Sequence, residues 1–501
     1  MTEKPCRLED LADELISEIL SFLLGPEELS NSPSPVSPQE HMAGLNAQPA
    51  HVYGEGSELN RFRLVCKRFL RISTPRKFRS FVVRFSRNDF QRLEELLRMQ
   101  LACHVKSFTY MVRPFYQGSG WSRFIDESGP NRFSSVHKFR LQEQQHILDG
   151  NHDRELLREA IVAFSSLQKI KLLRLQDEAD QQFLDRVHGR SLEGTLALDW
   201  EPACSRAVTN LGLSLLASDR TSVQFVGPQI SPEAMVRLLH APSVTISALG
   251  ARLACLDVTF YSKANPTSLM EPLSRVFHDF FLAAKNLVTL HLGFSGDIPL
   301  DLPLEHIFHR IQFKSLRTLS IQGWLLASDE IIALVSRHRG QLRDIRLVNI
   351  YLREGSRWRD VLSALHDDMD EIEQIDLREI NYASALSNAN GINGHNIGHG
   401  ISNGHGNSIG TGSAGLYTPP LSVVANHNTP SLHRAVLNTD YLLFAPRAQS
   451  RRSLVPAKLE PLRNLTADDL GDDGVCVNNE QRLQWERWVL SGPSKVSQRR
   501  N

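Results

Sequence analysis

The chain holds six cysteines in 501 residues, and no two of them form a C-x-x-C pair. Single thiols scattered at Cys6, Cys66, Cys103, Cys204, Cys255 and Cys476 read as reduced, partly buried groups of an intracellular protein. No sign of charge is in excess: 56 Lys and Arg balance 56 Asp and Glu. A partner bound by whole-chain charge is therefore not implied, and only local patches remain. No stretch approaches ~20 uninterrupted apolar residues, so no membrane span is expected. The opening "MTEKPCRLEDLADEL" is acidic and lacks the basic-then-apolar order of a secretory leader. A soluble protein of the cytoplasm or nucleus is the expectation.

Catalytic signatures are also missing. There is no HExxH, no phosphate-binding P-loop and no GxSxG elbow. "GTGSAG", Gly410 to Gly415, spells a GxGxxG fingerprint but neither follows a strand nor opens a helix. His395, His399 and His405 share the same Gly/Asn/His tract, where nothing rigid orients the rings toward a metal. No catalytic residue, metal or cofactor is expected, and the chain does not read as an enzyme.

What is present is organised in four parts. A helix beginning near Asp10 places Leu11, Leu15, Ile16, Ile19, Leu20, Phe22, Leu23 and Leu24 on an arc of roughly 220°, far wider than the ~100° stripe needed to sit on one core. Such a helix must be covered from two directions. A Pro/Ser/Gly-rich stretch, 25–57, cannot bury enough surface to offset its ordering and is expected to be disordered. Helical patterning resumes at Glu58 with "ELNRFRLVCKRFLRI" and breaks at Pro75.

From Phe78 onward a pattern of the form apolar-x-x-apolar-x-apolar recurs, in "FRSFVV", "VKSFTY", "LQKIKL", "LACLDV", "LVTLHL", "LRTLSI", "LRDIRL" and "IEQIDL". The last four copies begin at Leu287, Leu316, Leu342 and Ile372, and amphipathic helical segments fill the gaps. This regularity predicts an α/β fold, a strand–helix solenoid with parallel strands over 77–382. The longer intervals 105–167 and 208–253 imply insertions or degenerate units, one of them a Gly/aromatic loop, "RPFYQGSGWSRF". A flexible linker over 383–430 follows, with nine glycines in the 28 residues "NANGINGHNIGHGISNGHGNSIGTGSAG". The tail, 431–501, reads as irregular apart from one short amphipathic piece, "EQRLQWERWVL".

The basic stretch admits two readings. Glu58 to Arg87 carries ten Lys or Arg against one acidic residue, which suits phosphate neutralisation by a nucleic-acid-binding or transcription-associated protein. On one continuous helical wheel, however, Leu64 stands alone among Arg61, Lys67, Arg68 and Arg71. An apolar anchor ringed by charge fits a protein interface better than a phosphate backbone, and nucleic acid is the weaker reading.

Taken together, "LEDLADELISEILSFL" and "LNRFRLVCKRFLRI" resemble the F-box, the short helical module of ubiquitin-ligase substrate receptors. The family's leading motif falls on Leu11, Glu14, Leu15, Ile19, Leu20 and Leu23, with Ala12 where proline is usual. Its second motif falls on Leu59 to Phe69, matching at Leu64, Val65, Cys66, Lys67, Arg68 and Phe69. The following units resemble leucine-rich repeats, and "YMVRPFYQGSGW" resembles fungal F-box proteins. The repeats depart from that family at its inward asparagine, whose place is taken by Ser295, Trp324, Ile350 and Ile380.

The resemblance implies an F-box over 1–76 that holds a Skp-type adaptor, and through it a cullin–RING scaffold, while the repeats hold a target protein. The adaptor-binding residues it implies are Leu11, Leu15, Ile16, Ile19, Leu20, Leu23, Leu64, Val65, Cys66 and Phe69. A scaffold serving a ligase-independent complex is the other protein-binding reading.

Overall fold

A computed structural model of the chain describes residues 11–23, 56–127, 132–175, 196–230, 237–261, 265–295, 298–386 and 465–492, with Pro232, Met235 and Leu462 between them. Most of the stretch expected over 25–57 lies outside the described residues, as do Gly410 to Gly415 and His395, His399 and His405. Three helices come first: α1 (Asp13–Leu23), α2 (Gly56–Arg63) and α3 (Lys67–Lys77). Beyond them the chain is α/β, built on a mostly parallel sheet of ten strands, an arrangement compatible with a strand–helix solenoid.

The sheet strands are β1 (Ser80–Arg84), β2 (Ser107–Val112), β4 (Lys169–Arg174), β6 (Val223–Ile230), β7 (Leu253–Tyr261), β8 (Thr289–Ser295), β9 (Thr318–Leu326), β10 (Asp344–Leu352), β11 (Gln374–Arg378) and β12 (Asn381–Tyr382). They lie side by side in chain order, apart from β12, which pairs with β10. The second apolar position of each sequence unit forms one row across the sheet. That row runs Phe81, Phe108, Ile170, Phe225, Leu256, Leu290, Leu319, Ile345, Ile375. This register follows from the pattern, because a one-residue slip would turn every apolar side chain in a strand away from the helices.

The crossover helices are α4 (Arg87–Arg98), α7 (His152–Ala163), α8 (Trp200–Ala217), α9 (Ser243–Arg252), α10 (Ser274–Ala283), α11 (Leu304–Phe308), α12 (Ser328–Ser336) and α13 (Trp358–Asp367). They share one continuous buried core with the inward strand residues. Each fully buried Leu, Ile or Phe there stabilises the fold by roughly 1.5–3 kcal/mol.

Four sequence expectations change. The strand β6 has no recognisable pattern because Ser222, with φ of 62°, stands where the other units have an apolar leader. The Gly/aromatic loop is instead a small lobe, in which β3 (Phe115–Gln117) pairs antiparallel with β5 (Ala197–Asp199) beside α5 (Trp121–Glu127) and α6 (Arg132–Asp149). Its own core joins Tyr116, Trp121, Phe124, Ile125 and Leu141. The side chain of Gln144 clamps Tyr116 by accepting from its N–H (2.9 Å) and donating to its C=O (3.0 Å).

The third change concerns the turns that lack an asparagine ladder. Gly323, Asn349 and Glu379 take φ of 73°, 53° and 55°, so that the next residue, Trp324, Ile350 or Ile380, turns inward and is buried. At Gly323 a side chain is impossible, since a Cβ would lie 1.9 Å from the Phe294 carbonyl oxygen. The fourth is the C-terminal segment. "EQRLQWERWVL" lies within α14 (Asn479–Val489), which buries Trp485, Trp488 and Val489 in the main core.

Candidate functional site

The candidate site is the helical cluster before β1. Its core is Ile16, Leu20, Leu59 and Phe69, with Leu11, Phe62, Cys66 and Ile72 packed around it. The rings of Phe62 and Phe69 stack at 4.3 Å, joining α2 to α3. The basic stretch is not one helix, as the continuous wheel supposed. It breaks at Leu64–Cys66, because Cys66 adopts an extended backbone and its Sγ accepts from Phe69 N–H at 3.5 Å as the cap of α3. The second helix then runs past Pro75 to Lys77 rather than stopping there. Asp10, near which the first helix was expected to begin, lies outside the described residues; α1 begins at Asp13, with Asp13 and Glu14 in its first turn.

The arginines explain how α1 is held although more than thirty residues of sequence separate it from α2. Arg68 Nε donates to Asp13 Oδ1 at 2.6 Å and Arg71 to Oδ2 at 2.5 Å. These hydrogen bonds, Arg68's foremost, hold the Asp13 carboxyl below the usual carboxylate range. Arg68 also donates to the Leu11 carbonyl, and Arg76 to the Ser17 carbonyl (2.6 Å) and the Ser21 hydroxyl. The guanidinium of Arg63 lies over the Phe78 ring at 5.2 Å. Much of the positive charge that suggested phosphate binding is thus engaged within the cluster.

The ten residues implied to bind an adaptor divide into two groups. Ile16, Leu20 and Phe69 are core, while Leu11 and Cys66 pack against it. Leu64 (85% exposed), Val65 (60%), Leu15 (48%) and Ile19 (38%) are on the surface. The side chain of Leu23 lies outside the described residues. Leu70 is also exposed and adds to the apolar surface. The split was hidden in the sequence because a helix that is apolar over most of its circumference shows one broad arc, whichever half faces its own core.

The helix-free face of the sheet is polar. In its middle row Asp257, His291, Ser320 and Arg346 stand side by side on β7 to β10. His291 bridges its neighbours through Nδ1 to the Ser320 hydroxyl (2.7 Å) and Nε2 to the Thr259 hydroxyl (3.2 Å). Burial pushes its pKa down to about 3, so the ring is neutral and ties three strands together. Burial pushes Asp257 the other way, up to about 6, against the attraction of Lys169, Arg346 and Lys171.

Among the described residues no group of three or more His, Cys, Asp and Glu is placed to hold a metal ion, and no helix is long and apolar enough to cross a membrane. No protein-family model matches the chain, and no curated protein matches it either.

Proposed function

We propose that the chain is the substrate-recognition subunit of an SCF-type (cullin–RING) ubiquitin ligase. In this reading α1 to α3 form an F-box that binds a Skp-type adaptor, and the parallel solenoid, of leucine-rich-repeat type, binds the target. The observation that carries it is the division within the helical cluster. One set of apolar side chains closes a core, while Leu15, Ile19, Leu64, Val65 and Leu70 remain on the surface of so small a unit. Solvent-facing leucines at that density mark a surface that a partner covers.

The subunit performs no chemistry itself in this reading. It raises the effective concentration of a target lysine near a charged conjugating enzyme held by the scaffold. The engagement of Arg68, Arg71 and Arg76 by α1 argues against the nucleic-acid reading, which needs those cations free for phosphates.

The test is co-expression of the full chain with a Skp-type adaptor, followed by gel filtration. Leu64→Glu and Leu15→Asp are expected to abolish co-elution with unchanged circular dichroism and melting. Leu11→Asp is a poor probe, because Leu11 supports the core and its loss would unfold α1. Absence of a complex with the wild-type chain, or normal binding by both surface variants, rejects the proposal.

A further inference from the structure

We infer that Arg174, at the carboxyl end of β4 and close to the rings of Trp200 and Tyr261, is a binding site for an oxyanion, either a carboxylate or a phosphoryl group. The guanidinium carbon lies 5.1 Å from the centre of the Trp200 ring and 5.6 Å from that of Tyr261. Its Nε is buried without a hydrogen-bond partner, and among the described residues no carboxylate or carbonyl accepts from the group. A buried N–H donor on a cation is normally satisfied, and leaving that of Nε unmade is costly. Arg68, Arg71 and Arg76 all end on oxygens, whereas Arg174 lies against two rings.

The strand geometry supplies a place for the missing acceptor. Arg174 is on β4 and Tyr261 on β7, with β6 between them in the sheet. β4 pairs with β6 only from Lys169 to Lys171, and β6 is irregular against β7 between Gly227 and Ile230. The sheet therefore opens where β6 departs, and Arg174 and Tyr261 approach each other across that gap. Trp200 reaches Arg174 as the first residue of α8.

With two rings lying against the guanidinium, its N–H edge is the route of approach for an acceptor. That edge is the fork that matches two oxygens of one oxyanion. Asp199, the acid next to Trp200, is engaged elsewhere, accepting from Glu201 N–H at 3.2 Å as the cap of α8. The site is independent of the adaptor surface and stands or falls without it.

The experiment titrates the full-length protein, at constant ionic strength, with inorganic phosphate, acetyl-glutamyl-amide and acetyl-phosphoseryl-amide, and follows tryptophan fluorescence. A saturable change with at least one probe is expected, absent in Trp200→Phe and weakened ~10-fold or more in Arg174→Gln. Arg174→Lys is expected to restore little, since it keeps the charge and loses the fork. The order of the three probes then tells carboxylate from phosphoryl.

No saturable change with any probe overturns the inference, as does an unaltered response in Arg174→Gln or full rescue by Arg174→Lys. Should Arg174→Gln melt early, Tyr261→Leu keeps the cation and removes one stacking face. Weakened binding in that variant supports the site, and unchanged binding overturns it.

Discussion

The two edges of the sheet meet the same physical problem in different ways. An edge strand presents unpaired N–H groups that invite another chain to pair. At β1 the Arg84 N–H donates to Asp89 Oδ2 at 2.9 Å, and Arg92 holds that carboxylate at 3.0 Å. The seal is made within one turn of the following helix. At β11 the Leu377 N–H donates to Glu486 Oε1 at 3.0 Å, and Arg482 holds Glu486 at 2.7 Å. Here the carboxylate comes from 109 residues further along the chain.

It arrives with an apolar cover. Trp485 donates its indole N–H to Leu470 C=O at 3.0 Å, and Trp488 stacks on His366 at 4.1 Å. Arg359 pairs with Asp468 at 2.9 Å, and the Tyr382 hydroxyl bonds Asp472. One exposed N–H can be answered by a neighbour in sequence. The open end of the core cannot, because among the described residues no further strand lies beside β11 to cover it.

That contrast breaks most decisively at the C-terminal edge. Trp485→Ala is expected to cost about 3–5 kcal/mol in chemical denaturation, by emptying a fully buried ring site. It should also raise self-association in light scattering as β11 and the end of the core are uncovered. A variant with unchanged light scattering and unchanged stability would show that the segment is decorative.

The middle of the sheet, which has no edge, provides the reference. Asp257 has a folded-state pKa of about 6, above its ordinary 3.8. Folding is thus favoured with the carboxyl protonated, and that advantage is lost as pH rises from about 4 through 6. Asp257→Asn should stabilise the protein by up to ~3 kcal/mol at pH 8 and by nothing near pH 3.5. His291 has the opposite sign: with its pKa lowered to about 3, its contribution is present above pH 6.5 and lost as pH falls. Denaturation curves across pH for the wild type and Asp257→Asn separate the two.

A smaller effect compares the edges directly. Asp89→Asn and Glu486→Gln should each destabilise by about 1–2 kcal/mol, through a weakened hydrogen bond and a lost ion pair. Amide hydrogen exchange should locate the change, with Arg84 N–H faster only in the first variant and Leu377 N–H only in the second. Exchange that rises at both edges in either variant would mean that the ends are coupled through the sheet. The smallest effect is a gain. Glu379 beside β11 holds a left-handed backbone that glycine adopts freely at Gly323, so Glu379→Gly should stabilise by roughly 0.5–1 kcal/mol in the same assay.

Much of the fold was legible because strand and helix patterns are local. A leader such as Leu287 and the alternation Leu290, Leu292 announce a strand without reference to anything distant. β6 escaped where Ser222 replaced the leader, and the lobe around Tyr116 escaped because aromatic and glycine residues announce no period. Within the helical cluster the apolar residues of both halves of the site were visible. Which of them face inward was not, since Ile16 and Leu15 are neighbours of the same chemical kind.

The sequence by itself thus determined the repeating strand and helix elements, the register of one upon the next, and the apolar excess of α1. These depend on residues within about thirty positions of one another, where a period carries the information. The tertiary structure alone decided that Arg68 and Arg71 bind Asp13 rather than solvent, that Glu486 seals β11, and that Arg174 meets the rings of Trp200 and Tyr261. Those pairings span from 26 residues, Arg174 to Trp200, to 109, Leu377 to Glu486, and none follows a period. A charge or a ring carries no mark of its partner until folding brings the two within a few ångströms.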